Sequence, residues 1–471
     1  MQTMPQGGWV FDLKVNKSVA LDPGDGRERT ITLREIREPK DAVRGTIREP
    51  SIVLDIDGEK VEIKAGLYNL PQSVAGMRVD CAVTRGVAES IAIYKDLYVL
   101  SGDARIRCWP AEGFLFGPKP IVYPAQQRWF ASMTQLGNEK TYVDAGEMSL
   151  HQPGKHVYYH YGTDIGGYDK AVPIVAAAPG RVVRLGKEWA ADETEDEYPR
   201  DDVVRILDDR NWRYRYSHLD MINPDLQVDG QVEAGDFIGF LGQKGASGGW
   251  SHLHFGMKAP QPDGRCGQVN AYPFFAEAYL SENPGSLLAC ARPHRVAAVG
   301  QTVRLDASNS ICDGAAIKSY EWTLQDGTTR QGPVVGTTYE CEGMYSEMVT
   351  ITDDQGRTDI DFCVVQIISI DADPAHTPPA MHVTYFPTTD LRPGQPIAFK
   401  ARAFIRGAFA ENKAGIERWD FGDGTTAVSC SDDCFDERWH AYAKPGRYIV
   451  TIQRTGKNGL TATAQLKVIV E

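Results

Sequence analysis

Three short stretches of this 471-residue chain concentrate the side chains most able to do chemistry. The first is His160-Tyr-Gly-Thr-Asp164, an imidazole and a carboxylate four residues apart around a glycine. Gly162 and its β-prone neighbours argue against a helix, so the stretch is expected to be a strand or tight loop. The second is Trp212-Arg-Tyr-Arg-Tyr-Ser-His218, where alternation predicts Trp212, Tyr214, Tyr216 and His218 on one face of a strand. The third, Trp250-Ser-His-Leu-His-Phe-Gly-Met257, puts His252 and His254 on one face and Leu253 and Phe255 on the other. Residues two apart in a strand are separated by about 6.5–7 Å, so adjacent imidazoles can serve one site while pointing at different atoms.

A lone His-x-His carries little weight, but these stretches together supply four imidazoles and a carboxylate. Catalytic zinc takes three protein ligands of this kind and keeps an open position for water. Hydrolysis of a peptide bond also needs a group beside that water to move a proton. His156 and His160 form an HxxxH spacing, yet Val157-Tyr158-Tyr159 between them is β-prone and lacks the Glu of a helical HExxH site, so His156 is left out. His151, His294, His376 and His382 have no recognisable partners in sequence, and His440 lies within a repeat motif that reads as structural.

In motif and order, His160-x-x-x-Asp164, Tyr216-x-His218 and His252-x-His254 resemble the lysostaphin-type (LytM-like) zinc metalloendopeptidases. The resemblance implies Zn2+ held by His160, Asp164 and His254, with His218 and His252 in the catalytic positions beside it. It also implies hydrolysis of peptide bonds, typically in the glycine-containing or stem-peptide cross-links of bacterial cell walls. Some relatives have lost ligands and act as non-catalytic activators; no ligand is missing here. His252 is expected to be the base and His218 a donor to the oxyanion, although sequence alone leaves these two roles exchangeable. Gly248 and Gly249 could leave room for a substrate backbone or could form a simple turn.

The elements that must position these residues read as mainly β and multidomain: an N-terminal β-domain, an antiparallel-β zinc peptidase domain and two immunoglobulin-like β-sandwiches. With Gly at 46 and Pro at 27, turns must be frequent. Residues 1–125 form an accessory β-rich domain with a hairpin around Asp57-Gly58 and a β-type stretch from Ile91 to Leu100. The peptidase domain spans 126–283, with strands expected at Val172–Leu185, Val203–Leu207, Trp212–Leu219, Phe237–Leu241 and Trp250–Met257. Its acidic stretch, Asp192 to Glu197 followed by Asp201 and Asp202, reads as a solvated loop.

Residues 284–371 and 380–471 look like diverged copies of one unit, centred on Trp322-Thr-Leu-Gln-Asp-Gly and Trp419-Asp-Phe-Gly-Asp-Gly. The latter, with His440-Ala-Tyr-Ala-Lys-Pro-Gly-Arg-Tyr448, resembles the polycystic-kidney-disease (PKD) repeat, and the former resembles it more loosely. That resemblance implies sandwiches that bind a surface glycan or protein. Asp371 to Ala380, with three prolines, reads as a linker between independent modules that take no part in catalysis.

A net charge of −13 argues against nucleic-acid or anionic-membrane binding. No apolar run approaches the ~18 residues of a membrane helix. Met1 to Val10 has neither basic nor apolar signal regions. Of nine cysteines, none in a CxxC pair, seven lie from Cys266 onward, where disulfides often staple small β-domains. These features suggest a secreted or cell-envelope protein whose signal has been removed. The leading expectation is a peptidoglycan endopeptidase. Its rivals are a general secreted metalloprotease and a non-catalytic surface-binding protein with a vestigial metal site.

Overall fold

The computed structural model describes residues 4–41, 45–90, 96–136, 143–144, 157–158, 160–193, 199–369, 379–404, 415–430, 435–456 and 458–471. The architecture is mainly β. No helix is long and apolar enough to cross a membrane among these residues. His151, His156, His376 and Cys434 lie outside them.

The N-terminal unit packs two four-stranded antiparallel sheets around Ile31, Leu33, Ile52, Leu54, Val79 and Ile106. The expected hairpin is present: Ser51–Ile56 pairs with Glu59–Lys64, and Asp57 and Gly58 both take positive φ, as a two-residue hairpin loop requires. The β-type stretch proposed for Ile91 to Leu100 is not a strand where it is described. Residues 96–98 form a turn, with Asp96 and Val99 at φ of 61° and 46°.

The central unit is built on an antiparallel sheet in the order Thr163–Gly166, His252–Pro260, Arg213–Ser217, Val204–Leu207, Gly180–Leu185 and Glu188–Trp189. The proposed strand Val172–Leu185 is two strands, Pro173–Val175 and Gly180–Leu185; the former belongs to a separate three-stranded sheet with Phe237–Phe240 and Met221–Ile222. Leu253 and Phe255 point into the core, where the helix Tyr272–Glu282 covers them; Phe275 meets Phe255 edge-on at 4.9 Å. That helix is apolar on most sides, as a helix buried in a core must be. Its carboxylates reach back along the chain. Glu277 accepts from the backbone N–H of Leu115 and Phe116, and Glu282 from that of Tyr123. Leu115, Phe116, Ile121, Tyr123 and Ala125 are therefore part of this core, so the expected boundary at residue 125 falls inside it.

The two C-terminal units share a set of strand pairings. In the first, Ile317–Thr323 pairs with Thr329–Gln331 and with Gly343–Asp353, which pairs with Thr358–Ile368. In the second, Gly415–Asp420, Thr426–Ser429, Gly446–Gly456 and Thr461–Val470 repeat those pairings. The repeated motif residues occupy matching structural positions. Trp322 and Trp419 are both buried, and Asp326 and Asp423 each accept from the backbone of the residue two further on. Tyr345 and Tyr448 each donate to the carbonyl four residues back. His440 stacks on Phe421 and reaches Asp423 at 2.8 Å, a structural role.

The sandwiches are not independent modules. A parallel bridge between Met344 and Ala462 joins them into one nine-stranded sheet. Both also grip the central unit: Ala131 and Met133 enter the core of the last sandwich, and Ser132 bridges Thr384. The buried Arg292 donates to the carbonyls of Ser132, Met133 and Gln135 while pairing with Asp361. Tandem domains often touch lightly; here apolar side chains and a buried arginine cross the seam. The expected disulfide staples are also missing among Cys81, Cys108, Cys266, Cys290, Cys312, Cys341 and Cys363. Burial pushes the thiols of Cys290 and Cys363 up to about 12, so they behave as small apolar groups.

Candidate metal centre

His254 lies at the middle of the sheet, opposite Asp164 on one neighbouring strand and Ser217 on the other. Directly opposed residues in an antiparallel pair bring their side chains within contact. The Asp164 Oδ1 atom is 2.9 Å from His254 Nδ1. His160 comes from the turn just before the strand Thr163–Gly166, and Gly162 makes that approach possible. It takes a φ of 79°, and a Cβ there would lie 2.6 Å from the Phe255 carbonyl and 3.1 Å from His254 Nε2. His160 Nε2 then stands 3.1 Å from Asp164 Oδ1 and 3.3 Å from His254 Nδ1.

Three donor atoms thus form a triangle with edges of 2.9–3.3 Å. Ligand atoms at about 2.0–2.2 Å from a tetrahedral zinc are themselves about 3.3 Å apart, so the set suits that ion. All three residues are buried. Burial alone would raise the Asp164 carboxyl, but His160 and His252 outweigh it and hold it well below the usual range. Burial pushes His254 down to about 3 and His252 well below its usual value, because it disfavours charge on both rings. One carboxylate and two imidazoles are the chemistry a divalent ion prefers here.

His252 sits beside the triangle, with Nε2 3.6 Å from Asp164 Oδ1. Its Nδ1 is 3.2 Å from the Trp250 carbonyl, and its ring lies flat on the Trp250 indole at 3.7 Å. His218 completes the group, its ring 4.6 Å from that of His252. It reaches there against strand alternation. Tyr216 is paired with Phe255 and Ser217 with His254, so alternation would have carried His218 to the Phe255 face with Tyr216. The strand instead ends at Ser217, and His218 adopts a φ of 69° that swings it to the other side. Asp202 holds that turn by accepting from the His218 backbone N–H at 2.9 Å. The His218 Nδ1 is 2.7 Å from the Lys244 carbonyl, which assigns it the ring proton and leaves Nε2 free. Burial would raise the Asp202 carboxyl, but His218 and Arg200 hold it well below the usual range.

All five residues singled out in the sequence therefore converge, while several of their supports escaped notice. Asp202 belongs to the charge run read as a solvated loop, yet it is buried; Asp192 and Asp201 match that reading. Trp250 stands next to the histidine strand but gives no local sign that it stacks on His252. Gly248 and Gly249 form a turn with φ of 67° and 80°, and the Gly249 carbonyl accepts from Arg402 of the last sandwich. His382, also of that sandwich, contacts Thr134 and lies 5.6 Å from Trp250, and His294 reaches the Met133 carbonyl. The N-terminal unit contributes Tyr68, whose hydroxyl is 3.4 Å from His160 Nδ1 and which burial keeps protonated.

Comparison with known families places a match to Peptidase family M23 at residues 158–266 and a match to the PKD domain at residues 288–367. The PKD match falls on the more diverged of the two repeats. Among solved structures, the chain is similar to the catalytic domain of the prophage-encoded M23 protein EnpA from Enterococcus faecalis, at 24% identity. That likeness covers 28% of this chain and 87% of that one, with a TM-score of 0.19. The antimicrobial peptidase lysostaphin from Staphylococcus simulans matches at 17% identity over 43% of this chain and 82% of that one, with a TM-score of 0.20. Csd3 of Helicobacter pylori matches at 17% identity over 54% of each chain, also with a TM-score of 0.20. The chain carries an M23 peptidase domain and a PKD domain.

Proposed function

We propose that this chain, a carrier of an M23 peptidase domain, is a zinc-dependent endopeptidase acting on peptide cross-links of bacterial peptidoglycan. The observation that carries the reading is the buried triangle of His160, Asp164 and His254 donors with two further imidazoles beside it. In this reading those three residues hold the ion. Zinc, when bound, supplies Lewis acidity for the scissile carbonyl and brings the pKa of water towards neutrality.

The chain's own residues then handle the protons. With its Nδ1–H donated to the Trp250 carbonyl at 3.2 Å, His252 offers the Nε2 lone pair as the base. It returns the proton to the leaving amine. The His218 ring lies 4.6 Å from that of His252, and its Nδ1 lies 3.5 Å from the Asp202 carboxylate. That carboxylate can accompany a charged imidazolium, which supports His218 as the donor to the developing oxyanion. The PKD-type repeats would then bind wall glycan or protein, and a wall substrate would place the enzyme outside the cytoplasm.

The test is metal analysis of the purified chain together with turnover on purified peptidoglycan and on a soluble protein. One zinc per chain and release of wall peptides is the expected result. Cleavage of the protein but not the wall would make it a general metalloprotease, and zinc without turnover of either would make it a binding protein.

A further inference from the structure

A metal-binding imidazole normally donates its outer N–H to a fixed acceptor, which sets the tautomer and holds the ring. For His160 the acceptor at hand lies outside the central unit altogether. It is the Tyr68 hydroxyl, 3.4 Å from Nδ1, on the segment joining Glu59–Lys64 to Gln72–Val74. The same oxygen accepts from the Asp164 backbone N–H at 3.3 Å. One phenol thus touches two of the three residues of the triangle. His254 has no such help, since its Nε2 is buried and meets no hydrogen-bond partner among the described residues.

Tyr68 is held in place from several sides. It is 2% exposed and takes a φ of 59°, a region that bulky side chains avoid unless their surroundings impose it. Asn309 of the first sandwich donates to the Tyr68 carbonyl at 2.9 Å. Nearby, Lys64 pairs with Asp306 of that sandwich, and Asn69 donates to the carbonyls of Ala65 and Gly66. Tyr272 of the central helix meets the Tyr68 ring edge-on at 5.8 Å. Backbone strain fixed by three separate units, at a residue aimed at the centre, is an arrangement with a use.

We propose that Tyr68 is a positioning residue of the metal centre: it receives the His160 Nδ1–H, leaves Nε2 for zinc, and anchors Asp164 through its backbone. This rests on the zinc reading above. The accessory domain and the first sandwich, through Asn309, then contribute to metal affinity without touching the ion.

The experiment compares the full chain with Tyr68→Phe, measuring zinc affinity by competition with a chromophoric chelator. The absorption spectrum of the Co2+-loaded forms and the melting temperature of the metal-free forms are recorded alongside. The expected result is roughly 10- to 100-fold weaker zinc binding, an altered Co2+ spectrum and an unchanged metal-free melting temperature. Wild-type zinc affinity and spectrum in Tyr68→Phe would overturn the proposal, as would a lowered metal-free melting temperature with unchanged affinity, which marks a purely structural tyrosine. If Tyr68→Phe does not fold, Asn309→Ala takes its place: several-fold weaker zinc binding supports the proposal, and unchanged binding overturns it. A wild-type chain that binds no zinc overturns the metal reading itself, and this proposal with it, a result distinguishable from any difference between variants.

Discussion

His252 and His254 stand two residues apart on one strand face, yet their surroundings give them different work. His254 Nδ1 faces Asp164 Oδ1 at 2.9 Å, inside the triangle, whereas His252 Nε2 is outside it at 3.6 Å. His254→Ala is therefore expected to lose zinc on dialysis, because two ligands hold the ion poorly; metal analysis of the dialysed variant checks this, and full occupancy would show the ligand set to be wrong. His252→Ala should keep its zinc and lose on the order of 10²–10⁴ in rate, the span of a general acid–base group. Loss of metal from that variant, with His254 intact, would reverse the two assignments. Asp202→Asn probes the support of His218: zinc should stay, while peptide turnover falls about tenfold as the turn at φ 69° loses its charged anchor. Unchanged turnover in Asp202→Asn would mean that His218 holds its place without it.

The strands do more than carry these side chains, for their turns decide which side chains meet. Gly58 and Gly162 both take positive φ, but a Cβ on Gly58 would meet nothing within 4 Å, whereas one on Gly162 would strike the Phe255 carbonyl and the His254 ring. Gly58→Ala should then cost only the conformational penalty of about 1–2 kcal/mol. Gly162→Ala should in addition displace His160 and weaken zinc binding. Thermal melts and chelator competition on the two variants separate the effects, and equal zinc affinity in both would remove Gly162 from the account. In the repeats, the elements are pinned by Trp322 and Trp419, and truncation of either to Ala should cost about 3–5 kcal/mol in a denaturant melt.

Across the whole molecule, the seams tie the repeats to the centre. The segment 131–136 lies under the last sandwich and also supports the strand Thr163–Gly166, since Leu136 donates to the Asp164 carbonyl at 3.0 Å. Gln127, just before it, donates to the Gly166 carbonyl. A chain ending at Glu282 would uncover Ala131 and Met133 and leave the carbonyls of Ser132, Met133 and Gln135 without the Arg292 guanidinium. Such a truncation is expected to melt at lower temperature, bind zinc more weakly and cleave even soluble peptides more slowly than the full chain. Full-length rates on a short peptide would restore the picture of independent modules.

What the sequence determined by itself is what short-range geometry encodes. The period of a strand put His252 and His254 on one face, the Asp57-Gly58 pair made its hairpin, and the spacing around Gly162 allowed His160 and Asp164 to approach. The repeated Trp and Asp-Gly motifs likewise foretold two copies of one sandwich. Only the tertiary structure decided the rest. Alternation assigned His218 to the wrong face because a single left-handed residue reverses direction at no cost to the pattern before it. Tyr68 is separated from His160 by 92 positions, and the last sandwich reaches Gly249 and Trp250, just before the histidine strand, through Arg402 and His382. Such contacts depend on which surfaces of separately folded units are complementary, and no local period records that; backbone periodicity is written into neighbouring residues, whereas the meeting of distant surfaces is set by the packing of the whole chain.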